Sequence, residues 1–265
     1  MTRYFVDTNV LIGLTFSHDR WAVEAERILD GHNTLFTSEF VIYEYCSRPQ
    51  GAPRVVSDPD QLRVDPDDTG GVFGTVLEDF QENVEDNIPM YNREIDLQRY
   101  DGLSFERILE IFFENIEVRS QAKPHFVRHF QNYFSSREVT PRNAKRCVED
   151  LRDRVLYDAK KRKNALMNAI HIMSSIYDDQ ERARGLVNEH IGIRESRIPP
   201  VDSQWLLDAI GLAERGVLHR VVTGDKKDIV RYQQQLTSLF DVSILYILDE
   251  FHTHSQVGQD SHEIF

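Results

Sequence analysis

The sequence predicts an α/β protein: a three-layer α/β/α sandwich on a mostly parallel sheet, with an all-α insertion. Three observations carry this. Short, nearly continuous apolar runs, RYFVD at residues 3–7, HRVVTGD at 219–225 and SILYIL at 243–248, read as strands buried on both faces, the pattern of a parallel sheet. Helical periodicity alternates with these runs at both ends of the chain. Between the ends, from about residue 138 to 197, the pattern is helical with short breaks and no strand signal.

The first strand, RYFVD, closes on the carboxylate of Asp7. In DRWAVEAERILD, residues 19–30, Trp21, Ala22, Ala25, Ile28 and Leu29 recur at helical spacing, and Gly31 is the expected stop. Residues 34–37 read as a second strand. Ser38 is the expected N-cap of a helix carrying Phe40, Val41, Tyr43, Glu44 and Tyr45. Residues 49–71 hold four of the nine prolines among glycines and aspartates without periodicity, and 49–100 is taken as a loop-rich acidic insertion. LSFERILEIFFE at 103–114 is an amphipathic helix, 116–118 a short strand, and 121–135 helical again. After Pro199-Pro200, VDSQWLLDAIGLAERG forms a helix with Trp205, Leu206, Ala209, Ile210 and Ala213 inward and Gly216 at its stop; residues 226–238 form a helical stretch between the last two strands. The expected partition is 1–135 and 199–249 for the two parts of the α/β unit, 136–198 for the helical insertion, and 250–265 for a polar tail. The tail's His252, His254 and His262 read as a frayed terminus before they read as a metal site.

A chain of 265 residues, 40% hydrophobic, is long enough to bury a substantial core. Two cysteines, Cys46 and Cys147, build no disulfide framework. No apolar run approaches the roughly 20 residues needed to cross a bilayer, and MTRYFVDTNVLIG lacks a signal-peptide pattern, so a cytoplasmic protein with no membrane partner is expected. The net charge of -13 argues against a surface that grips nucleic acid everywhere. Charge is nonetheless segregated: residues 58–96 carry 12 acids and 2 bases, and residues 142–163 carry 9 bases and 4 acids. The basic stretch is either a solvated helix face or a phosphate-contacting surface. The second reading makes Arg142, Lys145, Arg146, Lys160, Lys161, Arg162 and Lys163 the candidate substrate-binding residues.

Four carboxylates hold special places. Asp7 ends the first strand, Glu44 lies in the second helix, Asp202 begins the helix after Pro200, and Asp225 follows HRVVT. In an open parallel sheet, groups at strand C-termini and adjacent helix starts converge on one crevice. Two carboxylates about 4 Å apart repel by about 4 kcal/mol at an effective dielectric near 20, so a cluster needs a cation. Oxygen donors without His or Cys select Mg²⁺ or Mn²⁺, an ion that activates water for phosphodiester hydrolysis. Singly, each residue also has a plain structural reading: Asp202 as a helix cap, Asp225 as a turn residue, Glu44 as a solvated helix residue. Asp7 resists one, because closing an apolar strand with an unpartnered carboxylate is costly. Two rivals stand nearby. Asp208 lies about 120° round the helix from Asp202, and Asp228 is either a water-mediated ligand or, the preferred reading, a helix N-terminal charge.

FVDTNVLIG, TSEFVIYEY, DSQWLLDA and VVTGDKKDIV, in that order, resemble the PIN-domain nucleases over roughly residues 1–48 and 199–248. The resemblance implies that Asp7, Glu44, Asp202 and Asp225 form an acidic metal-binding and catalytic quartet, supported by hydrogen bonds from Asn9 and Thr223. It implies Mg²⁺- or Mn²⁺-dependent endoribonuclease activity on an RNA substrate, with an antitoxin-like protein partner or a homodimer as further expectations. Two alternatives remain. A haloacid-dehalogenase-type phosphatase also opens on a strand ending in Asp, but it carries a second Asp where this chain has Asn9. The other alternative is a PIN-like module that binds RNA or assembles with proteins without cutting.

Overall fold

The computed structural model describes residues 2–30, 33–57, 62–98, 102–120, 122–175 and 180–250. Five strands, β1 (Arg3–Val6), β2 (Thr34–Ser38), β3 (His171–Met173), β4 (Arg220–Thr223) and β5 (Ser243–Tyr246), form one sheet in the order β3-β2-β1-β4-β5. Every pairing is parallel, with Phe5 opposite Phe36 on one side and Val221 on the other. Successive side chains of a strand point to opposite faces, and Phe5 and Val6 in β1, like Val221 and Val222 in β4, are all fully buried. Both faces are therefore covered by helices.

Those helices are α1 (Thr8–Thr15), α2 (Ala22–Asp30), α3 (Glu39–Ile42), α8 (Glu181–His190), α9 (Pro200–Glu214), α10 (Gln233–Phe240) and α11 (Ile247–Glu250), together with parts of two long helices, α4 (Gly71–Leu97) and α7 (Pro141–Ala169). Ser38 caps α3 as expected, its hydroxyl accepting from the Val41 amide. Pro200 opens α9 at its first position, where the missing N–H has no helical partner to lose. The strand order reverses at β1: β2 and β3 extend to one side, β4 and β5 to the other. The crevice over the C-terminal ends of β1 and β4 is thus the switch point where α/β sheets bind ligands.

The middle of the chain departs from expectation in three ways. First, within the expected loop-rich 49–100, the described residues 49–57 and 62–70 lack helix and strand, whereas α4 occupies 71–97, a 27-residue helix with Pro89 inside it. Its apolar positions Phe73, Leu77, Phe80, Val84, Tyr91 and Ile95 keep helical spacing, and abundant acids between them had masked it. Second, the all-α reading of 136–198 is corrected by β3, which pairs with β2 at the sheet edge, while 116–118 forms no strand and Ile116 ends α5 (Phe105–Asn115). Third, the helical unit crosses the expected boundary at residue 135. Residues of α4, α5, α6 (Lys123–Phe134) and α7 share a second core of Phe80, Val84, Tyr91, Ile111, Phe112, Phe126, Phe130, Cys147, Val148 and Leu151. Both α4 and α7 run on into the sheet core, through Phe73 and Leu77 and through Ala159 and Leu166. The stop at Gly31 and the tail from residue 251 lie outside the described residues. Among those described, no helix is long and apolar enough to cross a membrane.

Candidate metal centre

Asp7 leaves β1 and becomes the N-cap of α1. Its Oδ1 accepts from the Val10 amide at 2.9 Å, and its Oδ2 accepts from Thr223 Oγ1 at 2.6 Å and, at the limit of hydrogen-bond distance, from Asn9 Nδ2 at 3.5 Å. Thr223 Oγ1 in turn accepts from the Asp225 amide at 2.9 Å, so one buried hydroxyl joins the ends of β1 and β4. Burial pushes the Asp7 carboxyl up to about 6 against these donors, with the charges of Asp225 and Glu44 adding to the rise.

Glu44 sits in a π turn, Tyr43–Ser47, that continues α3. Such a turn rotates a side chain off the regular helical register and recurs at functional sites. Gly71, the first residue of α4, packs directly on this turn at φ 57°, and a Cβ there would collide with the Glu44 carbonyl oxygen. Only glycine satisfies both demands. Glu44 is buried, and both its oxygens are engaged: Oε2 accepts from Thr8 Oγ1 at 2.7 Å and Oε1 from Arg54 Nη2 at 2.5 Å.

Asp202 stands in the first turn of α9, where the positive end of the helix dipole faces it. Its carboxyl is pushed up to about 7, first by burial and then by the charges of Asp225, Glu44 and Asp7, with Arg54 opposing. Asp225 is raised as well, first by burial. Asp225 lies in the loop after β4, where Gly224 has Asn9 and the Trp21 ring close enough that a Cβ would meet both at 2.8 Å. The charges of Asp7, Glu44 and Asp225 all act on Asp202, and Asn9 and Thr223 are bonded to Asp7.

One oxygen each from Asp202, Asp225 and Asp228 lie within 4.8 Å of one another, a cluster of three half-buried carboxylates able to hold a metal ion. Asp228 stands with Asp202 and Asp225 in this group, and not on a helix N-terminus as its preferred reading had it. No helix has started there. The Asp228 amide donates to Asp225 Oδ1 at 2.8 Å in a turn, and α10 begins only at Gln233. Asp208 is elsewhere: it accepts from Ser175 Oγ and Gln180 Nε2 and lines a cleft of about 300 Å³ near β3, with Met173 and Arg182.

Two residues of the site had escaped the sequence reading. Thr8 follows Asp7 directly, and a hydroxyl beside a strand-end carboxylate was the signal available for it. Arg54, inside a proline-rich loop, gave none. The basic stretch of α7 is placed differently from expectation. Lys163 is buried, with Nζ donating to the carbonyls of Pro66 and Asp68 and lying 5.5 Å from the Phe73 ring, so it holds a loop and presents no surface charge. Arg162 pairs with Glu26 and Lys145 with Asp96, while Arg142, Arg146, Lys160 and Lys161 are exposed. No family model, curated protein or solved structure matches this chain.

Proposed function

We propose that this protein is a metal-dependent nuclease of the PIN type that hydrolyses RNA phosphodiester bonds, with Asp7, Glu44, Asp202 and Asp225, joined by Asp228, at its catalytic centre. The observation that supports it is the grouping of Asp202, Asp225 and Asp228 near the switch point of a parallel sheet, with the charges of Asp7 and Glu44 acting on Asp202. The donor set suits a hard divalent ion. The group includes no His or Cys, and the carboxyls of Asp7 and Asp202 are raised first by burial and further by neighbouring acids, a charge that a cation would offset. Asp202, Asp225 and Asp228 would hold Mg²⁺ or Mn²⁺, with Asp7 and Glu44 beside them. When bound, such an ion supplies Lewis-acid activation of water and of a phosphoryl oxygen.

The chain's own residues do the positioning. Val10, Thr223 and Asn9 hold the Asp7 carboxylate in one orientation, and Thr8 and Arg54 hold that of Glu44. A second reading, an RNA-binding module that does not cut, draws on one observation: Glu44 is bonded on both oxygens and stands outside the aspartate trio. End-labelled single-stranded RNA tests both. Cleavage with Mg²⁺ or Mn²⁺ that stops in EDTA and is absent in Asp7→Asn supports the nuclease. Binding without cleavage selects the second reading, and cleavage that persists in EDTA overturns the carboxylate site.

A further inference from the structure

A cluster of carboxylates repels a polyanion, so a nuclease built on one needs positive charge at the point where the phosphodiester enters. In the basic stretch of α7, Lys163, Arg162 and Lys145 are engaged with carbonyls or acids of this chain, and the exposed Arg142, Arg146, Lys160 and Lys161 pair with no site carboxylate among the described residues. Among the described residues two cations pair with site carboxylates: Arg231 lies 3.9 Å from Asp228 but gives its Nη2 to the Ser196 and Arg197 carbonyls, whereas Arg54 hydrogen-bonds a site carboxylate directly. Arg54 Nη2 donates to Glu44 at 2.5 Å, and its charge also acts on Asp202. The side chain remains 56% exposed, and Glu44 is its one hydrogen-bond partner among the described residues. A guanidinium carries five N–H donors in a planar fork, so most of them face solvent at the rim of the crevice. The Glu44 bond anchors one corner of the fork, and the Thr8 bond holds Glu44.

We propose that Arg54 is the phosphate-gripping residue of this site, taking a nonbridging oxygen of an RNA phosphodiester with the guanidinium edge that Glu44 leaves open. This rests on the reading of the site as an RNA nuclease. Arg54 positions the strand and leaves the reacting bond to the carboxylates. Because the fork is already oriented, little side-chain freedom is lost when the phosphate binds.

The test is binding of a short fluorescent single-stranded RNA with phosphorothioate linkages, which is cut slowly, measured by anisotropy in Mn²⁺ for wild type, Arg54→Ala and Arg54→Lys. Arg54→Ala should weaken binding by about tenfold or more, the loss of one charge-assisted contact, and lower the slope of log affinity against log salt by about 0.7. Arg54→Lys should restore the slope and only part of the affinity, since it keeps the charge and loses the fork. Calorimetric Mn²⁺ affinity without RNA should be unchanged or tighter in Arg54→Ala, because a neighbouring positive charge has gone. RNA affinity and salt slope equal to wild type would overturn the proposal, leaving Arg54 a brace for Glu44. Tighter RNA binding in Arg54→Ala would overturn it in favour of a plug, and parallel loss of Mn²⁺ and RNA affinity would mean action through Glu44 alone. RNA binding that depends on Arg54 in a wild type that never cuts would sink the nuclease reading and keep the grip. Cleavage indifferent to Arg54 would do the reverse.

Discussion

Thr223 Oγ1 donates to Asp7 Oδ2 at 2.6 Å across 216 positions of sequence, and the same oxygen receives the Asp225 amide. This hydroxyl couples the two strand ends that carry the site. Thr223→Val keeps the shape and removes both bonds. It should destabilise the fold by about 1–3 kcal/mol in urea melts, the usual cost of stranding buried polar partners. Mn²⁺ affinity should fall with it, and Thr223→Ser should retain most of both.

Proton linkage gives the second prediction. The carboxyls of Asp7 and Asp202 are raised to about 6 and about 7, so the folded protein binds protons more tightly than the unfolded chain does. Their contribution to stability is full below about pH 4 and is lost as pH rises through about 6 and 7. Metal-free melting temperature should therefore fall between about pH 5 and 8, and Mn²⁺ should restore it at the alkaline end. Asp7→Asn should flatten this pH dependence and abolish activity, with a metal-free melting temperature near pH 8 at or above that of wild type. A mutant that loses stability as fast as activity would mark Asp7 as structural.

Asp228 and Asp208 lie on opposite sides of the metal question. Asp228→Asn should weaken calorimetric Mn²⁺ affinity by about tenfold or more, as expected for a lost or weakened carboxylate ligand. Asp208→Asn should leave it unchanged and cost stability, because Asp208 is held by Ser175 and Gln180 away from the cluster. The opposite pattern would remove Asp228 from the site.

Lys163→Ala should act on the fold and spare RNA affinity. It leaves the carbonyls of Pro66 and Asp68 without their ammonium donor beneath the loop that precedes α4. A loss of about 2–3 kcal/mol is expected in denaturant melts, the scale for a charge-assisted buried bond. Lys160→Ala with Lys161→Ala, both exposed, should leave stability within about 0.5 kcal/mol.

What was legible in the sequence follows from where its signal is local. β1 and β4 lie in apolar runs because a central parallel strand buries both faces, and Asp7 and Asp225 are readable because each closes such a run; β5, at the edge, is apolar but only partly buried. β3 is only His171–Met173, an edge strand whose first residue is exposed, and three residues following a 29-residue helix carry no period. α4 was hidden by Pro89 and its acids, although its buried positions keep helical spacing. Asp228 was set aside because a helix was expected to begin one turn too early. Arg54 was illegible in principle: its place depends on how a proline-rich loop folds back onto the π turn, and no spacing within the loop encodes that contact.

Calorimetric titration of Mn²⁺ into the metal-free protein, without RNA, beside Asp225→Asn and Asp202→Asn, tests most directly whether these distant carboxylates make one metal centre. Saturable binding in wild type, released protons near neutral pH from the raised carboxyls of Asp7 and Asp202, and loss of that binding in both variants are expected. Absence of binding, or binding that both variants retain, would contradict the site.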